Sequence, residues 1–281
     1  MNTTKGIVVL AQNSDKVNYI QQACALAMSV KVTNPTTNIS VITNDSVPSE
    51  YQTMFDKIIP IPFDDDASEA DWKIENRWKI YHASPYDETL VLDSDVLILQ
   101  DISTWWNFFK NYELFFLSKV YTYRQEIVVS DFYRKTFTAN KLPNLYSGCH
   151  YFKKSDFAHN FYKWLELVMQ NWELFYGIYA PELYANRASV DLSCSIVAKI
   201  LDCESEITNS KQEIMRFVHM KSMIQGWETV SDSWRHEVGV YIDRNCNLKI
   251  GNFMQSGIFH YTENDFLDSK IIERYRNILN V

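Results

Sequence analysis

Glycine and proline are scarce here, seven of each in 281 residues, and no low-complexity tract or internal repeat is present. That excludes collagenous, linker-like and solenoid chains. No G-x-G-x-x-G follows the first apolar run, and no G-x-x-x-x-G-K-[ST] occurs anywhere. Dinucleotide binding of the Rossmann type and P-loop chemistry therefore lack their phosphate cradles. The five cysteines, Cys24, Cys149, Cys194, Cys203 and Cys246, are odd in number and none has C-x-x-C spacing. A disulfide framework or structural zinc is not expected, and a reducing compartment is. Positive charge is also in short supply. The formal net charge is −8, which argues weakly against a non-specific nucleic-acid binder. No apolar run approaches the roughly 18 residues of a membrane span. The first apolar stretch is also too short for a signal peptide, so a cytoplasmic, soluble protein is expected.

What is present is apolar bulk. Hydrophobic residues make up 46% of the chain and aromatics 15%, enough for a full core without staples. Ile7–Ala11 reads as a buried strand, Gln12–Asp15 as a loop, and 17–31 as a helix stopped by Asn34-Pro35. Ile39–Thr43 and Lys57–Pro62 read as further strands. Ser68-x-x-Asp71 resembles a capping box for a helix running to about Ala83. A strand ending in Asp93 follows. This alternation predicts a mostly parallel sheet with helices on both faces. Ligands in such sheets bind beyond the carboxyl ends of the strands. The Ala11-Gln12-Asn13 loop is expected to hold a nucleotide there. Further on, 146–152 and 257–261 read as strands, and 157–171, 190–202 and 268–281 as helices. Residues 238–242 and 248–250 read as a hairpin.

The most informative stretch is Asp93-Ser94-Asp95. It lies between the apolar runs Thr89-Leu90-Val91-Leu92 and Val96-Leu97-Ile98-Leu99. Strand residues two apart point the same way, so two carboxylates can aim at one point. Carboxylates held together in apolar surroundings repel, and a hard divalent cation such as Mn²⁺ or Mg²⁺ relieves the conflict. A solvated turn is the alternative for a lone D-x-D, and the flanking hydrophobicity argues against it.

The order of these pieces resembles a glycosyltransferase of the GT-A fold, family 8 in particular, which includes glycogenin and bacterial lipopolysaccharide galactosyltransferases. The most specific part runs from Arg77-Trp78-Lys79 through Tyr86 to Asp93-Ser94-Asp95-Val96-Leu97. The resemblance implies one GT-A domain over 1–281. Residues 1–102 would bind the nucleotide sugar, 103–265 would bind the acceptor and complete the metal site, and 266–281 would form a terminal helix.

The resemblance further implies a metal held by Asp93, Asp95 and His260, the last within Ile258-Phe259-His260-Tyr261, with His219 as the competing histidine because Phe217-Val218-His219 to Trp227 shares the His-to-Trp spacing of the family's last motif. Asp93 and Ser94 would also meet the donor, and Arg77 its sugar or phosphate. Asp191 would contact sugar or acceptor, and Asp191 and Arg77 would be the catalytic residues. Tyr146-Ser147-Gly148 resembles the family's N-S-G with Tyr in place of Asn, and Leu192 replaces a Gln. The family's following Gly and Lys are absent at Thr262-Glu263-Asn264, so Lys221, near His219 and Trp227, is the candidate for the donor phosphates. Trp105-Trp106, Phe108-Phe109 and Phe115-Phe116 read as core or as a sugar-stacking face.

The activity so implied is metal-dependent transfer from a nucleotide sugar, a UDP-sugar above all, with retention, to an acceptor hydroxyl. The acceptor expected is a glycan, with a protein or a modified DNA base, as in phage DNA glucosylation, as alternatives. Competing readings are a non-catalytic nucleotide-sugar-binding relative, a nucleotidyltransferase and a nucleotide-sugar hydrolase.

Overall fold

A computed structural model of the chain describes residues 4–70, 73–129, 134–183, 187–209, 215–261 and 265–281. Among these residues twelve strands are formed: β1 Lys5–Leu10, β2 Ile39–Ile42, β3 Lys57–Ile59, β4 Glu88–Leu92, β5 Val96–Ile98 and β6 Leu114–Leu117, then β7 Tyr146–Lys153, β8 Phe217–His219, β9 Val240–Ile242, β10 Leu248–Ile250, β11 Phe253–Met254 and β12 Ile258–His260. The main sheet has the order β3-β2-β1-β4-β7-β6. Strands β1 to β4 pair in parallel, and only β7 runs against its two neighbours. This mixed, mostly parallel sheet is the α/β architecture that the alternation of elements predicts.

Side-chain alternation divides β1 between two cores. Ile7 and Val9 pack on one face with the Tyr19–Thr33 helix, whose Ala23, Leu26, Ala27 and Val30 are fully buried. Val8 and Leu10 face the other way, toward the Asp156–Gln170 helix through Phe161 and Leu165. Asn18 caps the first helix by accepting from the Gln21 amide, and Ser155 caps the second through Ala158. Each such cap contributes about 1 kcal/mol. A sheet covered on both faces needs near-continuous apolar strands, and β1, β2 and β4 have them.

One expected helix is largely missing. Among the described residues from 68 to 83, only a 3₁₀ turn, Arg77–Lys79, and the short helix Ile80–Ala83 form. Side chains take the backbone instead. Lys73 donates to the carbonyls of Ala67 and Ser68, and Asn76 is tied to Asp65 and Gln12. Such local bonds compete with helix formation. The capping-box residue Asp71 lies outside the described residues. Among the described residues, no helix is long and apolar enough to cross a membrane.

The element that matters most for function is small. Strands β5, β12 and β8 form a separate sheet in that order. The antiparallel register sets His260 opposite Val96, and the parallel register sets it beside His219. Because β5 starts one residue after Asp95, this pairing brings a residue 165 positions downstream back to the aspartates.

Candidate metal and donor site

The aspartates lie at the carboxyl end of β4, with Gln12 just beyond the end of neighbouring β1. One ligand atom each from Asp93, Asp95 and His260 lies within 4.8 Å of the others. His260 Nε2 is 2.9 Å from Asp95 Oδ1. Arg77 donates to Asp93 Oδ1 as an ion pair. Burial alone would push the Asp95 carboxyl up, but the paired His260 and, further off, Lys221 hold it below the ordinary carboxylate range. Burial likewise favours neutral His260, and Asp95, with Asp93 behind it, holds the imidazole above its ordinary value. Two carboxylates and an imidazole form a mixed O,O,N set, which suits Mn²⁺ better than the all-oxygen preference of Mg²⁺.

Asp93 is seated by a close approach. Its amide donates to the Gly148 carbonyl at 3.0 Å. A Cβ built on Gly148 would lie 2.6 Å from Asp93 Oδ2. Glycine at this point of β7 is therefore a steric requirement of the site. Gly148→Ala is expected to cost about 1–3 kcal/mol by overpacking and to weaken divalent-cation binding at least about tenfold. Calorimetric Mn²⁺ titration beside a urea melt checks both, and wild-type affinity in the variant would show that Asp93 has room to move.

A cleft of about 210 Å³ opens over these groups, lined by Gln12, Arg77, Asp93, Ser94, Asp95, Lys221 and His260 among the expected residues. Ser147 of the Tyr146-Ser147-Gly148 motif also lines it, as do Tyr19 and Lys73, which the sequence did not single out. Ser94 is 5% exposed, and its hydroxyl donates to Gln22 Oε1 at 2.9 Å. Gln12 donates to Asp65 at 2.6 Å and accepts from Asn76 at 3.0 Å. Ala11 and Asn13 do not line the cleft. Ala11 is buried in the core, and Asn13 accepts from the Ile20 amide while its own amide donates to Asp45.

Asp191 stands one layer back. Its Oδ1 accepts from the Ser147 amide at 2.7 Å and hydroxyl at 2.5 Å, and its Oδ2 from Arg134 at 3.0 Å. Arg134 is the residue sequence reading missed. Its guanidinium also donates to the Leu145 carbonyl at 2.7 Å and lies 4.1 Å from the centre of the Tyr146 ring. Tyr146 thus supports the arginine that fixes Asp191, which gives the Asn-to-Tyr departure a physical role. Leu192 is 4% exposed within the core, so the position where the resemblance expects Gln makes no polar contact here.

His219 stacks edge-on against His260 with centroids 4.6 Å apart, outside the three-ligand group. Burial, reinforced by His260 and Lys221, pushes it well below the ordinary histidine value. Trp227 packs against Trp234 and does not line the cleft. Trp105, Trp106, Phe109, Phe115 and Phe116 are buried, which resolves that aromatic cluster as core.

Beneath the cleft, His150 lies between the Ser147 carbonyl and the Tyr162 hydroxyl, each at 2.7 Å. A carbonyl only accepts, so Nδ1 donates to it and Nε2 accepts from Tyr162. Burial pushes this imidazole down to about 3. The unfolded chain, with histidine near 6.5, binds the extra proton first. The stabilisation is therefore full above about pH 6.5 and is lost as pH falls toward 3. At pH 5 the loss is expected to be about 2 kcal/mol. Urea unfolding at pH 7 and pH 5 tests this, with His150→Gln expected to lose correspondingly less than wild type. An equal loss in both proteins would assign the acid sensitivity elsewhere.

Comparison with solved structures defines the fold class. An active-site mutant of LgtC matches 98% of this chain and 95% of its own, at 16% identity and a TM-score of 0.51. The galactosyltransferase LgtC with donor and acceptor sugar analogues matches 97% of this chain and 95% of its own, at 14% identity and a TM-score of 0.50. The glycosyltransferase GlyE of Streptococcus pneumoniae TIGR4 matches 99% of this chain at 15% identity and a TM-score of 0.50. The chain spans 63% of the length of GlyE. No protein-family profile and no curated protein matches at the level of sequence. Likeness at such identities establishes architecture, and the architecture is the GT-A glycosyltransferase fold.

Proposed function

We propose that the chain is a metal-dependent glycosyltransferase that takes a UDP-sugar and transfers its sugar, with retention, to a glycan hydroxyl. The observation that carries this reading is the convergence of Asp93, Asp95 and His260 in a GT-A frame, at the strand ends where that architecture binds ligands. The donor nucleotide and the stereochemical outcome follow the resemblance to family 8.

Breaking a sugar–diphosphate bond places negative charge on the leaving group. A divalent ion bound by the two carboxylates and the imidazole supplies Lewis-acid neutralisation of that charge. The chain's own residues prepare the site. Arg77 fixes Asp93 and adds a cation at the cleft floor. Lys221 adds a second cation on the wall, where developing charge is stabilised without reorganisation. Asp191 already accepts three hydrogen bonds. A carboxylate so engaged is a weak nucleophile, so its role is to orient Ser147 and, through it, a sugar hydroxyl at the cleft.

Donor hydrolysis tests the reading. With Mn²⁺ and a panel of nucleotide sugars, release of the free nucleotide is expected from a UDP-sugar and is expected to stop on chelation. Chelator-insensitive release, or release of a nucleoside monophosphate, would point to other chemistry on the same fold.

A further inference from the structure

Lys221 stands two residues past β8, and its side chain lines the D-S-D cleft. Among the described residues, no hydrogen bond or ion pair holds its ammonium. A charge on a flexible four-carbon stem is placed by the main chain that carries it. The backbone at 220–221 therefore decides where this cation stands.

That backbone has little support of its own. The ladder with β12 ends where the Met220 amide donates to the His260 carbonyl at 3.1 Å. From 221 to 233 only Ser222 and Ile224 are buried. The backbone bonds there are tight turns, such as Trp227 to Ile224 and Val230 to Trp227. Segments so exposed and so locally bonded open at low free-energy cost. The carbonyls of Met220 and Lys221 lie beyond the ladder and need donors from elsewhere.

Arg235 supplies them. From the short helix Trp234–Glu237, its Nε donates to the Met220 carbonyl at 3.1 Å and its Nη2 to the Lys221 carbonyl at 3.2 Å. Nη1 pairs with Asp232 at 2.8 Å, but that carboxylate side chain is 88% exposed, so the ion pair is screened and adds little. The two carbonyl contacts are what the arginine is placed to make. One planar fork on two consecutive carbonyls fixes orientation as well as position, which a point donor cannot do. The guanidinium also lies 5.1 Å from the centre of the Trp234 ring, which stacks on Tyr123. The loop between Lys221 and Arg235 is thus closed at its base.

We infer that Arg235 is a positioning residue for the donor site: by clamping the Met220 and Lys221 carbonyls it sets where the Lys221 ammonium meets the diphosphate of a nucleotide donor. The role of that ammonium rests on the transferase reading, and the clamp does not. A cation placed before charge develops stabilises it without reorganisation, so loss of the clamp forfeits that advantage even though Lys221 remains.

The test is a double-variant cycle read by calorimetric titration of UDP at saturating Mn²⁺, beside amide exchange of the free chain. Lys221→Met and Arg235→Gln are each expected to weaken UDP binding about tenfold. The double variant is expected to bind UDP no more weakly than Lys221→Met alone, because the clamp acts through that lysine. The amides of Met220 and Ser222 are expected to exchange faster in Arg235→Gln, with those of β1 unchanged. Where Arg235→Gln fails to fold, the cycle is run with Arg235→Lys, whose single ammonium cannot repeat the fork and which is expected to lose about threefold. Additive losses in the double variant, or wild-type UDP affinity in either single variant, would overturn the positioning role. Unchanged exchange at Met220 and Ser222 would overturn the clamp. A wild type that binds no UDP with Mn²⁺, while exchange still rises in the Arg235 variant, would remove the transferase reading and the donor role with it, leaving the clamp alone.

Discussion

Asp95→Asn is expected to lose metal-dependent donor hydrolysis by more than about a hundredfold while remaining folded. Disturbing residues one shell behind a metal costs about 10–100-fold, and this substitution removes a direct ligand's charge. The amide keeps the size of the side chain, so packing around it changes little. It does, however, remove the carboxylate that raises the His260 imidazole, and the loss of that buried contact is offset by removal of the buried carboxylate charge. The expected pair of results is a near-wild-type urea midpoint and no Mn²⁺-stimulated release of nucleotide. Wild-type turnover in this variant would remove Asp95 from the site.

Gly257→Ala is expected to be the most destabilising single-methyl change, at least about 3 kcal/mol. Gly257 has φ +78°, and a Cβ there would lie 2.2 Å from the Arg216 carbonyl oxygen. That oxygen is backbone, and it already accepts from the Ile258 amide at 2.8 Å. The Gly257 carbonyl in turn accepts from Leu99 at 2.8 Å. The glycine therefore joins the end of β5 to the start of β8, and displacing it separates the strands that hold His260. Both stability and metal affinity should fall together. Gly177→Ala is the internal comparison: it lies in a helix with nothing within 4 Å of the added carbon, and a gain of about 0.5–1 kcal/mol is expected. A loss under about 1 kcal/mol at Gly257 would show that β5, β8 and β12 tolerate rearrangement.

The parallel core was legible in the sequence because its strands are buried on both faces and read as near-continuous apolar runs. Ile7–Leu10, Ile39–Ile42 and Leu90–Leu92 are of this kind. The D-S-D motif was legible for the complementary reason, as charge set inside such a run. The caps Asn18, Ser155, Ser189 and Asp268, each acting through its own side chain, were not read from the sequence. The helix expected over 68–83 was misread because side-chain bonds from Lys73 and Asn76 leave no trace in hydrophobic periodicity. Arg134 was missed for another reason: it derives its meaning from a partner supplied by distant chain, Asp191, 57 positions on. His260 was found only through resemblance, since no local pattern announces that β12 pairs with β5.

The central claim is a metal-dependent donor site built by Asp93, Asp95 and His260, and the most direct test is a thermal-shift screen. UDP-, GDP-, ADP-, dTDP- and CMP-sugars are compared with and without Mn²⁺, because a ligand that binds only the folded chain raises its melting temperature. The account predicts a shift with UDP-sugars that requires Mn²⁺ and disappears in Asp95→Asn. A shift of equal size without metal, or one that persists in Asp95→Asn, would contradict it.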